Sequence, residues 1–282
     1  MNPSAARDPM GDAPVEAPTF RLWPGRTPLL VSVPHAGTLL TDTLKPRLVD
    51  RALAVEDTDW HLDRVYAFVR DLGAGLIVPR HSRYVIDLNR PSENTPMYPG
   101  SNNTGLCPHT FFTGEPLYRE GQAPDDADVA QRVEAYWRPY HRALADELGR
   151  LKARHGHAML WEGHSIRSEL PWLFDGRLPD LNLGTVEGAS CTPSLRRSLQ
   201  RVLDAQPRFS HVIDGRFKGG YITRCFGRPA DGVQAVQLEM VWDTYMAERP
   251  PYELDPRRVA ALEPVLRGLL GAMLAWRPET GE

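Results

Sequence analysis

The sequence predicts an α/β fold: a mostly parallel central sheet with helices on both faces. Three observations lead there. Short apolar runs that read as buried strands alternate with segments whose apolar residues recur at helical spacing. That alternation is the pattern of a parallel sheet covered on both sides. Two of the runs, Val31-Ser32-Val33-Pro34-His35-Ala36-Gly37 and Met159-Leu160-Trp161-Glu162-Gly163-His164-Ser165, lead into a histidine at a turn. Sites in such folds sit beyond the carboxyl ends of the strands.

Residues 1–18 are rich in Pro, Ala and Asp, lack an apolar core of a signal peptide, and read as a disordered lead-in. Residues 19–282 show no repeat and no linker, so they read as one domain. Leu29 to Val33 is a strand ending at Pro34. Trp60, Leu62, Val65, Phe68, Val69 and Leu72 mark a helix, with Asp57, Thr58 and Asp59 as N-terminal caps and Gly73 and Gly75 as the stop. Leu76 to Val78 and Tyr84 to Leu88 read as two strands. Pro91 to Pro124 is a long loop, and a connection of that length inside a domain is usually functional. Asp125 to Arg154 is helical, with Pro139 breaking it in two. Ala158 to Trp161, Leu181 to Thr185, His211 to Ile213 and Val233 to Met240 are the later strands. Ser194 to Ala205 is a helix, and Asp255-Pro256 opens the last one with a cap followed by proline at the first position.

Of the 282 residues, 41% are hydrophobic and 24% charged, and the net charge is -3. That balance gives no electrostatic case for nucleic acid or an anionic membrane surface. No apolar run approaches the roughly 20 residues of a membrane helix. Cys107, Cys191 and Cys225 are far apart, which argues against a disulfide framework and for a reducing, cytoplasmic setting.

The chemistry concentrates in a few segments. Ser82-Arg83-Tyr84-Val85-Ile86-Asp87-Leu88-Asn89-Arg90 puts two guanidinium forks and an amide beside an apolar run. Arg83, Asn89 and Arg90 there suit carboxylate recognition by charge-assisted hydrogen bonds. His35 and His164 together with a carboxylate of Glu56-Asp57-Thr58-Asp59 would make a catalytic zinc arrangement with an open fourth position. Simple helix caps are the competing reading of Asp57 and, less so, of Asp59. Glu239, inside the apolar run Val236 to Met240, is costly unless paired or functional, and partial desolvation would raise its pKa and suit it to take a proton. An alternating strand with Gln237 and Glu239 on a wet face is the competing reading. Phe217-Lys218-Gly219-Gly220-Tyr221-Ile222-Thr223-Arg224 reads as a glycine-hinged loop able to close on a substrate, or as an ordinary hairpin turn. His81 and His109 are weak candidates near the site. The residues alone thus point to a metal-dependent hydrolase of a small acidic substrate.

With these segments assembled, the chain resembles the N-formylglutamate amidohydrolases, also called N-formylglutamate deformylases. The resemblance runs from about Leu29 to about Tyr245 and rests on the His35, Ser82–Arg90, Glu162–Ser165, Lys218–Thr223 and Leu238–Met240 segments. The family is similar to zinc carboxypeptidases and to deacylases of acyl-aspartate and acyl-glutamate. It implies a phosphorylase/hydrolase-like, zinc exopeptidase-like fold and one catalytic divalent metal ion, usually zinc. It implies hydrolysis of N-formyl-L-glutamate, the last step of one route of histidine breakdown. His35 and His164 map to metal ligands, Glu239 to the general base, Arg83 to the residue polarising the scissile carbonyl, and Asn89 and Arg90 to the substrate carboxylate. Arg224, Tyr221 and Thr223 on the glycine-containing segment are further substrate-binding candidates. The relatives' His-x-x-Glu pair is broken here, because Thr38 stands three residues after His35. The acidic ligand therefore comes from elsewhere; Asp59 is the assignment, with Asp57, Glu56 and Glu162 as alternatives.

Overall fold

A computed structural model describes residues 14–95 and 104–278. The first thirteen residues of the expected lead-in and the middle of the Pro91–Pro124 loop lie outside these. One eight-stranded sheet organises the molecule, in the order β1-β2-β4-β3-β5-β8-β6-β7. Its strands are β1 (Val15–Glu16), β2 (Phe20–Trp23), β3 (Leu29–Ser32), β4 (Gly75–Pro79), β5 (Ala158–Ile166), β6 (Leu181–Gly184), β7 (His211–Ile213) and β8 (Val233–Val241). The centre, β4-β3-β5-β8, is parallel. Antiparallel pairings join β2 to β4 and β6 to β8, so the sheet is mixed rather than uniformly parallel. Every residue of β3, β4 and β5 is buried, as expected of strands covered on both faces.

Alternation along those strands feeds two cores. Leu29, Val31 and Trp161 face α1 (Leu62–Val65), α4 (Pro193–Ala205) and α6 (Pro256–Ala275), whose Leu62, Leu195 and Leu266 share their cluster. Leu30, Leu160 and Ala235 face α3 (Arg138–His155) and α5 (Tyr221–Phe226), through Leu144, Leu148 and Ile222. The helix before Pro139 is α2 (Asp126–Arg132). It joins α3 through a π-helical turn, Val133–Trp137, so the expected break is a widened turn within one helical stretch. Such a turn accommodates a proline ring and its missing donor. Asp255 caps α6 as expected, accepting from Arg257 N at 2.8 Å.

Three sequence expectations are corrected. Tyr84 to Leu88 is buried but forms no strand. Tyr84 and Val85 pack with Leu48, Phe111 and Leu117, while Ile86 and Leu88 join the α3 cluster. Consecutive pairs thus serve two cores through turns, where a strand would alternate faces. The helix from Trp60 is only α1 followed by a 3-10 turn, Ala67–Arg70. Its N-cap is His61, in left-handed backbone geometry and without a side-chain cap bond, so Asp57 and Asp59 are not its caps. Finally, β5 continues five residues past Trp161, so His164 sits within a strand and not at a turn.

Candidate active site

At the carboxyl end of the central strands His35, Asp59 and His164 converge. His35 follows β3; Gly37 after it packs so tightly on the His81 carbonyl that a Cβ there would lie 2.2 Å from that oxygen. The peptide N–H of Asp59 donates to the His35 carbonyl at 3.1 Å, which brings the carboxylate to the histidine. Asp59 Oδ2 also accepts from Ser165 N at 3.1 Å, and Oδ1 accepts from Arg83 Nη2 at 2.7 Å. Register on the sheet supplies His164, whose neighbour across β8 is Glu239.

The ring orientations are fixed by carboxylates behind them. His35 Nε2 donates to Asp87 Oδ1 at 2.7 Å, and His164 Nε2 donates to Glu162 Oε1 at 2.7 Å. Carboxylate oxygens accept, so each Nε2 carries a proton, and Nδ1 is the ring nitrogen turned inward, able to bind an ion once it is unprotonated. The two Nδ1 atoms lie 3.1 Å apart, and Asp59 Oδ2 lies 3.2 Å and 3.7 Å from them. Donors about 2.0–2.2 Å from a tetrahedral ion are separated by roughly 3.3–3.5 Å. The donor set and spacing therefore fit a divalent metal, with carboxylate–histidine pairs as its outer support. Among the described residues this is the one cluster of His, Cys, Asp and Glu with such spacing.

The other acidic candidates are engaged elsewhere. Glu56 pairs with Arg51 at 2.7 Å and 2.8 Å. Asp57 accepts from Tyr84 OH at 2.8 Å and Phe112 N at 3.1 Å. Glu162 holds His164 from behind and accepts from Thr223 N at 3.0 Å and from the Thr223 hydroxyl. Thr38 is exposed on the far side of the His35 turn, its N–H on the Arg80 carbonyl.

Electrostatics sort the roles. Burial pushes Glu239 up to about 8; His164 and Arg83 oppose the rise, Asp59 and Glu162 add to it. A carboxyl so placed exchanges a proton near neutrality. Burial disfavours charge on His164, but Glu162 and Asp59 overcome it and push that ring up to about 10. Burial likewise works against Arg83, and Asp59, Asp87 and Asp57 hold its pKa above the usual arginine value. Asp59 and Asp87 are held low despite burial, the first chiefly by Arg83 and His164, the second by His35 and Arg90.

A cavity opens beside this centre. Arg83, Asn89, Arg90 and Glu239 line it, with His35 and His164 at its floor. Arg90 is braced by Thr104, donating to its carbonyl and hydroxyl at 2.9 Å each. Of the glycine-containing segment, Phe217 and Gly220 line the cavity, but Tyr221, Thr223 and Arg224 are not brought to it. Tyr221 packs on Trp137 and His141, Thr223 is buried against Glu162, and Arg224 is exposed with its Nε on the Gly219 carbonyl at 3.0 Å. From Tyr221 onward the segment is α5, which turns those side chains into the helix–sheet interface and the solvent. Arg216 and Gln237 are polar lining residues that were not singled out from the sequence. Arg216 directly precedes the glycine-containing segment and was left outside it. The competing reading set Gln237 on a wet face, whereas it and Glu239 are 3% and 7% exposed. Its signal was its place two residues before Glu239, on the same face of the strand.

The family model described as N-formylglutamate amidohydrolase matches residues 27–246. A curated N-formylglutamate deformylase of Pseudomonas aeruginosa is 51% identical over 255 residues, 90% of this chain and 96% of the relative. One from Pseudomonas putida is 50% identical, over 90% of this chain and 95% of its own. The crystal structure of an N-formylglutamate amidohydrolase from Ralstonia eutropha superposes with a TM-score of 0.76 at 25% identity, covering 90% of this chain and 97% of that one.

Proposed function

The chain belongs to the N-formylglutamate amidohydrolase family, and from that premise we propose that it hydrolyses N-formyl-L-glutamate to formate and L-glutamate. The observation that carries the proposal is the convergence of His35 Nδ1, Asp59 Oδ2 and His164 Nδ1 beside Glu239, in a cavity lined by arginines. His35, Asp59 and His164 hold one divalent ion, for which zinc is the proposal. When bound, that ion supplies Lewis acidity and lowers the pKa of water towards 7. Glu239 takes the proton from the attacking water and returns it to the amide nitrogen as glutamate leaves. Arg83 is fixed by Asp59 and stacked on Phe112 at 4.8 Å, and it meets the negative charge that develops on the formyl oxygen. Arg90 and Asn89, joined by Arg216, receive the carboxylates.

The test is formate release from N-formyl-L-glutamate by purified protein loaded with zinc, set against the N-acetyl and N-succinyl analogues. Formyl turnover well above both supports the reading. A preference for a larger acyl group would make the chain a deacylase of another N-acyl acidic amino acid, and no turnover of any would refute an amide hydrolase.

A further inference from the structure

Gln237 lies on β8, one strand across from Glu162 in register, and its side chain is buried at the cavity wall. Its Oε1 accepts from Gly220 N at 2.6 Å. A backbone N–H only donates, so oxygen must face Gly220, and the amide cannot be turned around without losing that bond. Its NH2 end is thereby directed away from Gly220, and it donates to no described residue.

Asn89 is held in the same manner by the same backbone. Its Oδ1 accepts from Ile222 N at 2.9 Å, which leaves Nδ2 3.0 Å from His164 Nε2. Gly220 carries the first of the two anchoring N–H groups, and a Cβ on it would lie 2.2 Å from Asn89 Nδ2. Gly219 before it has φ +117°, a backbone conformation favoured by glycine. The Gly219-Gly220 pair is thus a fixed template against which two amides are set oxygen-first, rather than a hinge.

Resting on the hydrolase reading above, we propose that Gln237 is a specificity residue whose Nε2 donates to a carboxylate oxygen of the substrate. The cavity it faces is lined by Arg90 and Arg216, so the acceptor expected there is anionic. A carboxylate only accepts, whereas a carboxamide in its place either presents its own NH2 to Gln237 or must turn to offer oxygen. A site built around an oriented donor rejects the former, because two donors then face each other without a partner.

The experiment measures kcat/KM of the zinc-loaded enzyme on N-formylglutamate, N-formylglutamine and N-formylisoglutamine, which replace neither, the side-chain and the α-carboxylate respectively. Wild type is expected to prefer the diacid over at least one amide by about tenfold or more, the scale of one hydrogen bond to a charged group. Gln237→Glu keeps an acceptor for Gly220 and turns an acceptor towards the substrate. It should raise KM for the diacid about tenfold or more and shift the preference by a similar factor towards one of the amides. The amide that gains identifies which carboxylate Gln237 reads. Gln237→Leu removes the donor without adding charge, and it should weaken the diacid with no gain for either amide. Wild-type enzyme that turns over the diacid but does not discriminate against either amide overturns the inference, whether or not the variants fold. Ratios unchanged in folded variants overturn it equally. A wild type with no N-formylglutamate turnover overturns the hydrolase reading, and this inference with it.

Discussion

His164 on β5 and Glu239 on β8 are direct register partners in the parallel pairing of the two strands. Partners in such a ladder project to the same face, with backbones about 4.8 Å apart. The proposed ligand and the proposed base are therefore locked together by the sheet's own hydrogen bonds. Nothing has to close for them to meet, which suits a proton transfer that tolerates little misplacement.

From that placement, Glu239→Gln should keep the fold and the metal while turnover falls by about 10²–10⁴. Elemental analysis beside steady-state kinetics checks it. A near-normal rate would move the base to another group.

Metal should be required, at about one divalent ion per chain. A chelator should abolish activity, and zinc should restore it. The pH dependence has a definite sign. Glu162 and Asp59 push His164 up to about 10 against the effect of burial, so a proton competes with the ion for Nδ1 across the neutral range. Metal affinity should rise with pH up to about 10, and binding near pH 7 should release protons. Titration calorimetry in buffers of different ionisation enthalpy reads that release. For the protein without metal the linkage runs the other way. A folded-state pKa raised above 6.5 contributes stability that is full below that value and is lost as pH rises to about 10. The melting temperature of chelated protein should fall over that window.

Asp59 and Asp87 should separate as ligand and support. Asp59→Ala should lose metal and turnover together, and leave Arg83 without its shortest ion-pair partner. Asp87→Ala should keep a weakened site, with metal affinity down by about 10–100-fold, because Asp87 reaches that site through His35 Nε2, besides accepting from Asn89 N at 2.8 Å. Equal metal content in wild type and Asp59→Ala would remove Asp59 from the ligand set.

The two arginines of the Ser82–Arg90 segment should also differ. Arg83→Ala should depress kcat more than it raises KM, since its proposed partner is charge that develops during reaction. Arg90→Lys should act mainly on KM, because lysine cannot reproduce the fork that spans Thr104 and the cavity. If both variants lost stability while the folded fraction kept normal kinetics, the arginines would be structural.

The α/β frame and the candidate residues were legible from local pattern. Helix and strand periodicity depends on neighbours a few residues apart, so the α/β alternation, the strands leading to His35 and His164, and the Asp255 cap were all legible. So was the misfit at Thr38, which sent the search for an acid to Asp59. Tertiary structure decided what depends on distant partners. His35 meets His164 across 129 residues and Asp87 across 52, and only those contacts fix which ring nitrogen faces inward. The same holds for Tyr84–Leu88. An apolar run has one composition whether it pairs in a ladder or turns between two cores, and the packing of Phe111, Leu117 and α3 around it chose the second. Arg216, just ahead of the glycine-containing segment, and Gln237, two residues before Glu239, carried only weak local marks. Their place in the cavity follows from where β8 and the loop after β7 lie beside the ends of β3 and β5, a relation set by the order of strands in the sheet.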